Sequence, residues 1–115
     1  MKIVDLRVRE VSVPRAYETY CADPDGLQSD TDHTRSRYQI IEIFTADGRV
    51  GIGEISDIAR RMVPPTAAAM RDLLTEILAG ADPLHWRTLY GRVAAALPTS
   101  LHPELRGLIL FGVEI

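Results

Sequence analysis

Apolar and polar residues alternate from Ile3 to Val13 (IVDLRVREVSV), which predicts a β-strand over about residues 2–13. Its phase changes partway. Val4, Leu6 and Val8 share one parity, whereas Val11 and Val13 take the other, so a bulge near Arg9–Glu10 is expected. Pro14 ends the run. YQIIEIFT is β-branched and aromatic and predicts a strand over about 38–46; VGIGEIS predicts a third over about 49–56. Between them, Ala46-Asp47-Gly48-Arg49 carries an Asp-Gly turn signal. The expected unit is a three-stranded antiparallel meander whose last two strands form a hairpin.

Beyond Pro64–Pro65 the period becomes helical. Met70, Leu73, Leu74, Ile77 and Leu78 predict a helix over about 65–79, closed by Gly80. Asp82–Pro83 reads as an N-cap followed by proline in the first turn. Trp86, Leu89, Tyr90, Val93, Ala94 and Leu97 then form a stripe over about 83–97. Both stripes are expected to be core, and Gly91 within the second costs about 1 kcal/mol relative to alanine. His102–Pro103 opens a third helix over about 103–115. From Leu105 onward only Arg106 and Glu114 are charged, so this helix must be buried on more than one side. It carries no stop signal at Ile115, and a larger protein is expected to continue past that residue. The fold class is α+β: the meander followed by a small helical bundle.

Composition narrows the function. At 115 residues the chain suits one domain, and 46% hydrophobic residues can build a core. A formal net charge of −3 argues against a nucleic-acid partner, and no basic block suits an anionic membrane. Cys21 is the only cysteine, so no intrachain disulfide forms. The amino terminus lacks a signal-peptide run and no apolar stretch could span a bilayer, so a cytoplasmic location is expected.

Candidate chemistry gathers in residues 15–36, a polar stretch with neither period, and functional loops have this character. Asp23, Asp25, Asp30 and Asp32 suggest a metal, and DPDG opens like a calcium loop, but Thr34 stands where its closing glutamate belongs, so they read as loop solvation and no metal site is expected. Arg35, Arg37, Arg60 and Arg61 could each pair with a carboxylate, since a planar guanidinium binds one bidentately, or simply be solvated. Tyr17 and Tyr20 could form an apolar lid or pack the loop onto the sheet. His33 could face a substrate or solvent. Glu54 shares the parity of Val50 and Ile52 and needs a partner if buried.

The order MKIVDLRV, long loop, IIEIFTADGRVGIGEIS, helices, GADPLHWRTLY and LRGLILFGVEI resembles the amino-terminal capping domain of the enolase superfamily, in its mandelate racemase/muconate-lactonizing branch. The resemblance spans essentially the whole chain. Its most specific part is Asp47-Gly48-x-x-Gly51-x-Gly53-Glu54 closing the hairpin. It implies a cap over a TIM-like barrel that this chain does not contain. The barrel would hold Mg²⁺ and the lysine or histidine base that removes the proton α to a carboxylate. The only lysine here is Lys2, so no catalytic residue is assigned and the chain alone is expected to be inactive.

In such enzymes the long loop and the segment after the hairpin close over the barrel mouth. Here these are about residues 17–37 and 55–64, giving Tyr17, Tyr20, His33, Arg37, Ser56 and Arg60 as substrate-binding candidates. Gly51 and Gly53 would keep their strand thin where another backbone packs. Expected partners are the barrel, a small-molecule carboxylate and further copies in a homo-oligomer of the parent. Dehydration of an acid sugar is the expected reaction, with racemase, epimerase or cycloisomerase activity the alternative. In the rival class, the chain is a stand-alone interaction module that binds a partner through its apolar last helix.

Overall fold

A computed structural model describes residues 1–14, 35–56, 58 and 63–113. Strands β1 (Ile3–Pro14), β2 (Arg35–Thr45) and β3 (Val50–Ile55) form one antiparallel sheet in the order β1-β2-β3. Helices α1 (Ala67–Leu78), α2 (Trp86–Ala96) and α3 (Pro103–Val113) follow, and a single 3₁₀ turn, Pro83–His85, leads into α2. This is the expected α+β class: meander first, helices after.

The sheet is two-faced. Leu6 opposes Ile43 and Val8 opposes Ile41, and these inward residues meet Met70, Leu74 and Leu78 of α1 in the core. The irregularity in β1 lies between Ile3 and Asp5 rather than at Arg9–Glu10. The extra residue there lets Ile3 and Leu6 both point inward and turns Val4 out. Val11 and Val13 need no bulge, because they belong to the outer face of an unbroken ladder that runs to Pro14. That ladder also lengthens β2, which starts at Arg35 rather than near residue 38. Arg35 Nε donates to Ser12 Oγ at 2.7 Å, and its Nη2 donates to the Ser12 carbonyl at 3.0 Å.

Local chemistry sets the other boundaries. Gly48, at φ +85°, makes the hairpin turn, which Gly48 N–H closes onto the Thr45 carbonyl. Thr66 caps α1 by accepting from Ala69 N–H at 3.1 Å. Asp82 accepts from Leu84 N–H at 2.9 Å and so caps the 3₁₀ turn. His102 Nδ1 accepts from Glu104 N–H at the start of α3.

Two expectations about the helices change. Leu89, Val93 and Leu97 of the second stripe are buried, but Trp86 and Tyr90 are exposed, Trp86 at 48%. Instead of filling the core they flank an apolar recess of about 220 Å³, beside Arg49, Val50 and Val113. Helix α3 buries Leu105 and Ile109, while Leu108, Leu110 and Val113 stay half-buried. Its inward side lies over β3. There Gly51 and Gly53 share the helix-facing parity of Ile55, opposite Ile43 and Ile41. At Gly112 a Cβ would stand 2.9 Å from the Glu54 carbonyl oxygen and 3.0 Å from Ile55 Cγ1.

Candidate functional site

In an antiparallel meander the far end of β1, the start of β2 and the end of β3 coincide. Pro14 pairs with Arg35, and Gln39 pairs with Ile55. The described part of β1 therefore ends, β2 begins and β3 ends at the same end of the sheet. The hairpin turn and the apolar recess lie at the opposite end.

The inner face changes character along its length. Toward the hairpin it carries Leu6, Val8, Ile41 and Ile43; toward the loop end it carries Glu10, Ser12, Arg37 and Gln39 at the same parity. Glu10 and Ser12 are exposed there and Arg37 is half-buried, so this end of the face reaches beyond the core. The polar end is thus the part of this surface available for chemistry.

Arg37 and Ser56, the two described candidates, both lie at this end. Arg37 is half-buried on β2, and among the described residues its guanidinium has no ion-pair or hydrogen-bond partner. A cation so placed is available to a carboxylate. Ser56 is half-buried just past β3, and its Oγ donates to Glu54 Oε1 at 2.5 Å. Glu54 is therefore not a buried acid: it stands on the outer face with Val50 and Ile52, where it is exposed. Arg35, also exposed, is committed to Ser12. Tyr17, Tyr20, His33, Arg60 and Arg61 lie outside the described residues, as do Cys21 and the loop aspartates.

Sequence reasoning overlooked Gln39. Its side chain is 1% exposed, and Nε2 donates to the Pro65 carbonyl at 2.8 Å. The available signal was a polar residue at the inward parity of Ile41 and Ile43.

Among the described residues no three His, Cys, Asp or Glu side chains come together as a metal-ligand set. No helix among them is long and apolar enough to cross a membrane.

No protein-family model matches the sequence, and no curated protein matches it. Solved structures do. The chain is similar to the L-Ala-D/L-Glu epimerase from Bacillus subtilis, at 18% identity and a TM-score of 0.66, over 85% of this chain and 26% of that one. It is similar to a mandelate racemase/muconate lactonizing protein from Herpetosiphon aurantiacus, at 18% identity and a TM-score of 0.64, over 98% of this chain and 28% of that one. A third is the dipeptide epimerase from Enterococcus faecalis V583, complexed with Mg and the dipeptide L-Leu-L-Tyr, at 21% identity and a TM-score of 0.57, over 80% and 25%. These likenesses establish a shared α+β fold. The chain spans about a quarter of the length of each structure.

Proposed function

We infer that this chain is the substrate-closing cap of an enolase-superfamily enzyme that removes the proton α to a carboxylate. The observation that carries this reading is the convergence at one end of the sheet: two chain exits, a polar inner face and Arg37, which has no partner among the described residues. A cap so built closes a site from above, excludes water and places a cation near a substrate carboxylate. Mg²⁺ and the catalytic base would belong to a barrel domain outside these residues. When bound there, the metal would stabilise the enediolate left by proton removal.

The names of the similar structures give this reading its chemical direction, since epimerases and racemases act at such a carbon. Dehydration of an acid sugar begins with the same proton removal and fits the polar composition of the sequence around His33. Racemase, epimerase or cycloisomerase chemistry is equally compatible with the fold.

The step common to these reactions makes the test. The natural polypeptide, supplied with Mg²⁺ in D₂O, is expected to introduce deuterium at the α-carbon of a carboxylate drawn from panels of acid sugars and dipeptides. The variant Arg37→Met is expected to raise KM roughly ten- to hundredfold, the effect of losing one charge-assisted hydrogen bond of about 1.5–3 kcal/mol. Deuterium exchange that is unchanged in KM by this variant would remove Arg37 from the site. No exchange across both panels would contradict the enzyme reading.

A further inference from the structure

The helices cover one face of the sheet. Helix α1 packs over β1 and α3 over β3, and the core lies between them and the inward residues. On the other face Ile40 and Phe44 of β2 are only half-buried, and Val13, Val50 and Ile52 are exposed, Ile52 at 66%. A sheet face turned to water ordinarily carries polar side chains. Contiguous apolar surface on such a face marks an interaction site.

The charges on this face are ordered. Cross-strand pairing sets the outer residues in rows: Arg9, Ile40 and Glu54 form one, and Arg7, Glu42 and Ile52 form the next, with Phe44 and Val50 beyond. Cations thus lie on β1, and an anion lies on β3. Arg7 is engaged over the Phe44 ring at 4.8 Å, and Arg9 Nε meets Glu42 Oε1 at 3.0 Å. Glu54 accepts from the Ser56 hydroxyl but has no cation among the described residues.

A row that reads cation, apolar, anion is its own complement under a two-fold axis along its middle strand. With that axis along β2, β1 of one copy lies over β3 of the other and each row stays level. Arg9 then faces Glu54 of the second copy in both halves of the pair. On the axis Ile40 meets Ile40 and Phe44 meets Phe44. Glu42 lies there too, with its charge offset by its own Arg9. Sheets packed face to face stand about 10 Å apart, a gap that an arginine and a glutamate bridge together. An axis across the strands would instead stack β1 on β1 and set Arg7 and Arg9 against their own copies, which like-charge repulsion disfavours.

We propose that the outer face of the sheet is a two-fold interface with a second copy of this chain, β1 over β3, in which Arg9 pairs with Glu54 of the other copy. This surface is independent of the proposed function.

Sedimentation of the natural polypeptide and its charge-reversed variants tests it. Arg9→Glu and Glu54→Arg each set like charges together in both halves of the interface. Either variant alone is expected to raise the dimer Kd about tenfold or more, the combined effect of two exposed ion pairs. Mixed in equal amounts, the two variants are expected to form a heterodimer about as tight as the parent dimer, because each supplies the charge the other lacks. A mixture no tighter than either variant alone would overturn the interface, as would a natural polypeptide that sediments as a monomer. Both side chains are exposed, so circular dichroism should show both variants folded. Should Arg9→Glu unfold by repulsion from its own Glu42, Ile52→Lys takes its place. Its ammonium group would lie beside Glu42 in its own chain but opposite Arg7 of the second copy, so the same weakening is expected of a folded protein. Dimer affinity unchanged by Ile52→Lys would likewise overturn the proposal. None of these readouts depends on turnover, so failure of the enzymatic reading would leave the interface standing.

Discussion

Gly112, Gly107 and Gly91 all interrupt apolar helices, and the sequence does not distinguish them. The structure does, by what a methyl group would meet. At Gly112 it meets the backbone of Glu54, which cannot move aside without disturbing β3. At Gly107 and Gly91 it meets nothing within 4 Å. Gly112→Ala is therefore expected to destabilise by about 1–3 kcal/mol, and Gly107→Ala to stabilise by up to about 1 kcal/mol. Paired thermal melts check this, and equal effects of the two changes would contradict the packing of α3 on β3. A close approach between distant elements leaves no local mark in the sequence, so Gly112 was illegible. Gln39 was legible in principle, because period-two parity alone puts it on the buried face.

Among the elements, the hairpin was the most readable, since Asp-Gly chemistry specifies a turn locally. Asp47 also adds a testable pH dependence. The Thr45 hydroxyl donates to Asp47 Oδ1 at 2.5 Å, and this bond, with Arg49 nearby, holds the Asp47 carboxyl below its ordinary range. A carboxyl lowered on folding stabilises the fold above its unfolded pKa, and that contribution is lost as pH falls through the folded value. Asp47→Asn is thus expected to flatten the acid side of the stability–pH curve. A curve parallel to that of the parent protein would contradict the role given to this bond. Trp86 and Tyr90 were misjudged for the opposite reason. Helical spacing puts them in a stripe with Leu89 and Val93, but it cannot say whether the facing surface reaches them. Here it stops short and leaves a recess. The phase change in β1 was visible as well, but its cause lay at the other end of the strand, because parity cannot separate a bulge from a second exposed face.

For the whole molecule, the meander topology brings both chain exits to one end and leaves the other end apolar. Strand order was legible in the alternating runs and the Asp-Gly turn, whereas the placement of Arg37, without a partner among the described residues, follows from tertiary pairing that the sequence did not show. Four of the six candidate residues lie in segments outside the described structure, so their part in the site rests on that resemblance. The half-buried Leu108, Leu110 and Val113 leave α3 with apolar surface still to cover, as expected of a helix with almost no polar side. A cap requires something beneath it. The most direct measurement is therefore the intact mass of the natural protein, with its coding sequence read past Ile115. The cap account predicts a chain that continues for a barrel's length, with acidic residues at successive strand ends. A natural polypeptide that ends at Ile115 would contradict it and favour the stand-alone interaction module.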